Sequence, residues 1–360
     1  MAPRIGLVIA TSERGGFSAV IAEAHDLVAR GVDVHVLSPL GPRVADLPAE
    51  ARHTPLHARS RDYVRSMRQV RRWTRSARPD VVHVHGRASG ITARVALAPT
   101  RLTLAYTPHG VAVYPRRLSR LADRVAQRFL RFRTTLYVMV GESEELEFAR
   151  EHGFGGVRVV RMPNVIDPNP LREAGSAGGE GRYILVPGAY NPRKRFADIV
   201  EVAQAAPTGW TIRFLGHTEG GGEDQLPCLQ ERARKAGVED RVSFEEESMD
   251  LGRDLAGAGL VLFPSETEGL PITALQALAV GVPVAWSDIP AHREIFGDEG
   301  GRFEVGDLEA LGALLRDPEA WPSLAPRRSR ADELFSRYRA MREKGIEALL
   351  DLAHAARGWH

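Results

Sequence analysis

In the stretch "SETEGLPITALQALAVGVPV", Ser265 to Val284, a carboxylate, Glu268, stands in a Gly-Pro turn and an amide, Gln276, follows eight residues later. "ITALQALAV" is a strong helix-forming run that Gly281 ends, and Pro271 suits its first position because the missing N–H has no intrahelical partner there. The turn therefore aims the positive end of a helix at the neighbourhood of Glu268. The amides of Leu270 and Ile272 can serve an anion there, Gly269 lets the chain approach closely, and Pro271 cannot donate. A carboxylate and an amide beside an anion site suit a ligand that is part phosphate and part hydroxyl. The plain alternatives are a solvated loop carboxylate and a polar residue on an apolar helix.

Other residues could do chemistry elsewhere in the chain. Gly15 and Gly16 follow the first apolar run and let backbone approach a ligand, or they make an ordinary strand-to-helix turn. His109, in "TPHG", ends an apolar run. His83 and His85 form an H-x-H, but no cysteine or carboxylate accompanies them at metal spacing, and a half-buried strand explains them better. No D-x-D pair for a nucleotide-bound Mg²⁺ occurs. Neither a metal nor a cofactor is expected.

The elements that must position these groups read as an alternation. "GLVLFP", the turn, the helix and "VPVAWSD" make a β-turn-α-β unit, and similar apolar runs recur from "RIGLVIA" to "GVRVVRMPN" and again from "RYILVPG" to "RVSFE". That rhythm means parallel sheets with crossover helices. It lapses into Pro, Gly and Ser around "NVIDPNPLREAGSAGGEG". The expectation is an α/β chain of two Rossmann-like domains facing across a cleft: residues 1–165, a linker at 166–181, residues 182–335, and a helix at 336–360 returning toward the first domain.

At 360 residues with 43% hydrophobic and 26% charged side chains, the composition is that of a soluble globular protein. Cys228 is the only cysteine and no apolar run is long enough to span a membrane, so a cytoplasmic protein is expected, with peripheral contact to the inner membrane face left open. Residues 1–165 carry 26 arginines against 14 acidic residues, a balance of +12, whereas the remainder stands at −10 and holds all three lysines. Two helical segments account for most of the excess. Arg61, Arg65, Arg68, Arg72 and Arg75 share one helix face, and Arg120, Arg124, Arg128 and Arg131 form a stripe beside Leu121, Val125, Phe129 and Phe132. They suit an anionic membrane or an acidic, lipid-linked acceptor; equally, their apolar sides could lie on the sheet. No nucleic-acid module is recognisable.

The order and spacing of several motifs carry a resemblance. The first stretch resembles the E-x7-E segment of the family-4 glycosyltransferases, in its form "EGLPxxxLEAxAxGxPV". The "GG" after the first strand, "PDVVHVHG", "TPHG", "VGESEEL", "MPNVID" and "PGAYNPRKRF" are similar to further motifs of that family. The resemblance spans nearly the whole chain. It implies the GT-B fold and a retaining, metal-independent hexosyltransferase using a nucleotide sugar, UDP before GDP, in polysaccharide or glycolipid assembly.

Residue by residue, it implies that Glu268 holds the donor sugar's hydroxyls and that Gln276, where the family has a second glutamate, meets the ribose. Lys194 matches the phosphate-binding lysine. Ala189 replaces the arginine expected before it, so Arg193 or Arg195 would have to complete the cationic clamp. His109 corresponds to the active-site histidine, and with Glu268 it is assigned to the reaction centre. Retention would follow a front-face route in which the leaving phosphate helps deprotonate the acceptor; no nucleophile is evident. Two other classes remain open: a sugar-nucleotide epimerase of the same fold, and a non-catalytic relative that binds a nucleotide or a partner.

Overall fold

A computed structural model of the chain describes residues 2–12, 15–57, 62–110, 117–176, 181–217, 225–246, 251–298, 300–316 and 328–358. The chain divides into two compact units, one of Met1–Asn164 with Tyr338–His360, the other of Val165–Arg337.

The first unit holds a seven-stranded parallel sheet. Its strands are β1 (Arg4–Ile9), β2 (Asp33–Ser38), β3 (Arg52–Pro55), β4 (Val81–His85), β5 (Thr103–Thr107), β6 (Leu136–Met139) and β7 (Arg158–Arg161), in the order β3-β2-β1-β4-β5-β6-β7. Helices α1 (Gly16–Val28), α2 (Tyr63–Ala77), α3 (Arg87–Ala96), α4 (Arg117–Leu130) and α5 (Glu142–Glu151) make the crossovers. Alternate strand residues serve opposite faces: Ile5, Leu7, Val34, Val81 and Ala105 pack with α1, while Val8, Leu37, Val82, Val84 and Leu104 pack on the other side with Val70 and Trp73 of α2. His83 and His85 share the parity of Val81, so both point to the α1 face.

The second unit repeats the plan with six parallel strands, β8 (Gly181–Pro187), β9 (Thr211–Gly216), β10 (Val242–Glu246), β11 (Ala258–Phe263), β12 (Val284–Ser287) and β13 (Gly301–Phe303), ordered β10-β9-β8-β11-β12-β13. Its helices are α6 (Pro168–Ser176), α7 (Phe196–Val202), α8 (Leu226–Ala236), α9 (Leu251–Gly257), α10 (Ile272–Val280), α11 (Pro290–Phe296) and α12 (Leu308–Arg316). Helix α13 (Arg328–Arg357) follows. From Tyr338 on it belongs to the first unit, where Ile346, Leu349 and Ala353 enter the core and Arg342 bonds Asp26 Oδ2 at 2.6 Å.

Each sheet has one point where strand order reverses, β1/β4 in the first and β8/β11 in the second. Ligands of open α/β sheets bind beyond the carboxyl ends of strands at such a point.

Two expectations need correction, and an orientation left open is decided. The segment read as a linker, 166–181, forms helix α6 in its first part; Asp167 Oδ1 accepts from Asn169 N at 3.0 Å, a cap that starts the helix, and prolines fit a first turn. Residues 177–180, like Arg61 of the first arginine stripe, lie outside the described residues. Pro271 is the N-cap of α10 rather than its first residue, with ψ at 117°. Helix α4 also lies the other way round from an ordinary crossover. It buries Asp123 and Gln127, which Arg87 and Arg94 of α3 satisfy, and turns Leu121, Val125 and Phe129 outward.

Candidate active site

Two groups of side chains occupy the two reversal points. In the second unit, β8 is followed by Gly188, whose φ of 146° no L side chain adopts easily, and a Cβ there would press within 3.1 Å of the Lys194 side chain. The chain then passes through a short 3₁₀ turn (Pro192–Lys194) and a left-handed Arg195 into α7. The loop after β11 is tied to it, since Glu266 N donates to Arg193 O at 2.9 Å. Lys194 Nζ thereby reaches Glu268 Oε1 at 2.6 Å, and Ser265 Oγ donates to the same oxygen at 2.6 Å.

Glu268 is only 15% exposed at its side chain and Lys194 21%, so the pair is partly desolvated and still open on one side. Burial alone would raise the Glu268 carboxyl. The Lys194 ammonium, with the hydrogen bonds from Lys194 and Ser265, outweighs it and holds the group below its ordinary value. Gln276 is half-buried on the one partly open face of α10, four residues from Ile272 and three from Thr273; Ala274, Leu275, Ala277 and Leu278 are buried. The two candidates for the missing arginine differ. Arg195 is forked onto Asp198 at 2.7 and 3.1 Å, whereas Arg193 is exposed. Ala189, where the family has an arginine, is buried at 5% exposure.

Sequence reasoning did not single out His292. It lies fully buried in α11 with Nδ1 3.0 Å from Ser287 O, and Ser287 Oγ in turn donates to Ser265 O. Burial pushes the imidazole down to about 4 despite the pull of Glu268, so it is a neutral support under the loop that carries the carboxylate. Its one sequence signal is Pro290 opening a helix directly after a strand.

In the first unit Gly15 is the N-cap of α1 at φ 83°, and Gly16 lies against His109, whose Cδ2 would be 3.7 Å from a Cβ added there. His109 itself has φ 59°, a left-handed conformation that costs a non-glycine residue about 1 kcal/mol and calls for external support. Glu144 of α5 supplies it: this fully buried carboxylate accepts from Gly110 N and from Val140 N, joining the turns after β5 and β6. The motif "VGESEEL" held that residue, but its partner Gly110 was not legible.

His83 and His85 do have a carboxylate neighbour, contrary to the reading from spacing. Glu23 of α1 accepts from His83 Nδ1 at 2.7 Å, and the ligand-type atoms of Glu23, His83 and His85 lie within 4.8 Å of one another. The set is of a kind that can hold a metal ion, although His83 spends one nitrogen on Glu23 and the other on Thr107 Oγ1 at 2.8 Å. Burial would raise Glu23, and the two imidazoles hold it far below the usual carboxylate range.

The family Glycosyltransferase Family 4 matches residues 14–170 and Glycosyl transferases group 1 matches residues 169–319. The chain thus carries both domains of a GT-B glycosyltransferase. It is 29% identical over 156 residues to the O-antigen chain mannosyltransferase B of Escherichia coli, a match that takes 41% of this chain and spans only 40% of that protein. It is 26% identical to the phosphatidyl-myo-inositol mannosyltransferase of Mycobacterium leprae over 87% of this chain and 88% of the other. The crystal structure of Anabaena HepE in complex with UDP-glucose superposes with a TM-score of 0.77, at 16% identity over 96% of this chain and 99% of that one, which establishes the shared GT-B fold.

Proposed function

We propose that the protein is a retaining, metal-independent hexosyltransferase that moves a sugar from a nucleotide donor, a UDP-sugar before a GDP-sugar, to a lipid-linked or polysaccharide acceptor. The observation that carries this is the Lys194–Glu268–Ser265 constellation at the β8/β11 reversal, beside the N-terminus of α10. It combines a cation and a helix end for a diphosphate with a carboxylate for sugar hydroxyls. The acceptor classes and the UDP-sugar are those named for the mannosyltransferases and for HepE.

In the proposed reaction the bond from the anomeric carbon to the phosphate oxygen breaks and a bond to the acceptor oxygen forms on the same face. The acceptor proton passes to the departing diphosphate. Lys194 and the α10 N-terminus, with Leu270 and Ile272 at its start, stabilise the charge that develops on that group. Glu268 holds and orients the sugar and Gln276 meets the ribose; the family resemblance assigns His109 to the transfer as a hydrogen-bond acceptor. Turnover of a panel of nucleotide sugars in EDTA, with the anomeric configuration of the product read by NMR, tests the reading. Inverted product or dependence on metal would reject it, and an epimer formed without acceptor would make the protein an epimerase instead.

The face of α4 supports docking of the first unit on an anionic membrane. Leu118, Leu121, Val125 and Phe129 of α4, with Phe132 of the 3₁₀ turn that continues it (Arg131–Arg133), are 58–80% exposed along one stripe, opposite the buried Asp123 and Gln127. Arg120, Arg124, Arg128 and Arg131 flank them, with Arg120 and Arg124 sharing Glu151. An apolar ridge edged with arginine matches the acyl boundary and phosphates of such a bilayer. Among the described residues no helix is long and apolar enough to cross a membrane.

A further inference from the structure

One carboxylate and one histidine lead in line to His109 at the β1/β4 reversal. Glu23 Oε1 is taken by His83, while Glu23 Oε2 faces His85 Nε2 at 3.3 Å; these two buried atoms have no other polar partner among the described residues. His85 Nδ1 lies 3.1 Å from His109 Nε2, and the two rings stack 23° apart. One end of the line is an acceptor-only group, wholly buried; the other is the histidine against Gly16.

A neutral imidazole has one N–H and one lone pair, so neutral imidazoles in line from a carboxylate can point their protons only toward it. We propose that Glu23, acting through His85, fixes His109 as the tautomer protonated on Nε2 and leaves its Nδ1 a bare acceptor. The reverse order would set the lone pair of His85 Nε2 against a carboxylate oxygen in a dry interior, a costly arrangement. Burial pushes His85 down to about 4 and His109 well below its ordinary value, so both are neutral at pH 7. His83 gives no competing path, because its second nitrogen is spent on Thr107. Glu23 and His85 are positioning residues. Their use in catalysis rests on the function proposed above, whereas the tautomer is a property of the free protein.

Nitrogen-resolved imidazole correlation spectra of the free, ¹⁵N-histidine-labelled protein, with His109 assigned through His109→Gln, decide the matter. A proton on Nε2 is the expected result, and one on Nδ1 overturns the proposal without recourse to any variant. Glu23→Gln, whose amide can also donate, should let the Nδ1–H form of His109 appear and lower kcat about tenfold or more with the donor KM little changed. A folded Glu23→Gln protein whose His109 keeps a single Nε2–H form would also overturn it. An altered tautomer with unaltered kcat would support Glu23's control of His109 and reject the use of His109 in transfer.

Discussion

Lys194 Nζ and Glu268 Oε1 meet at 2.6 Å across the reversal of the second sheet, although 74 residues separate them. In the free protein the ammonium that should grip a diphosphate is already committed to a carboxylate, and Ser265 holds that carboxylate in place. In the proposed reaction donor binding has to share or break this bond, so the two functions proposed for the site can be separated by removing the carboxylate. Glu268→Gln should bind UDP alone about tenfold more tightly, the scale of one charge-assisted hydrogen bond released, while losing sugar transfer. Calorimetry and turnover on the same preparation check both halves, and weaker UDP binding would contradict the role of the pair.

The second prediction concerns Gln276, on the open face of α10. A carboxylate accepts more strongly than an amide, so Gln276→Glu should tighten donor binding by about 1 kcal/mol, roughly fivefold, through ribose hydroxyls. Unchanged affinity would remove the side chain from the donor site.

Much of this site was legible because its elements are short and sharply punctuated. "GLVLFP" and "VPVAWSD" became β11 and β12, and Gly281 ends α10 in the left-handed region at φ 84°. What the sequence hid were contacts between distant residues and the direction of one helix. Glu23 reaches His83 over a separation of 60 residues, and no local spacing announces it. The α4 pattern is amphipathic whichever side faces the sheet; only the partners Arg87 and Arg94 for Asp123 and Gln127 decide that its polar side is inward. Asp167 and the prolines of α6 resembled linker composition because the same residues start helices and make turns.

The outward face of α4 gives a third prediction. Phe129→Ser with Phe132→Ser should cut sedimentation with vesicles containing anionic lipid more than tenfold, since burying each ring is worth about 1.5–3 kcal/mol. Equal sedimentation of variant and parent would reject membrane docking through this face.

Acid should destabilise the fold by way of its buried imidazoles. His85 and His292 sit near 4 when folded, against an ordinary value of 6.5, so the unfolded chain binds more protons between those limits. Stability is therefore full above about pH 6.5 and falls by roughly 1.4 kcal/mol per pH unit for each imidazole down to about pH 4. Glu268 acts in the same sense at lower pH: its folded value is depressed from 4.5, so its contribution is present above that value and is lost as pH drops through the folded one. Denaturant titrations from pH 7 to 4 should show the slope. A flat profile would contradict the burial of neutral histidines.

Calorimetric titration of UDP in EDTA, into the parent and into Lys194→Ala, tests the central claim most directly. The account predicts heat and saturable binding with the parent, and a loss of roughly 2 kcal/mol, about thirtyfold in affinity, in the variant. Equal affinity in the two, or no binding by the parent of any nucleoside diphosphate, would contradict it.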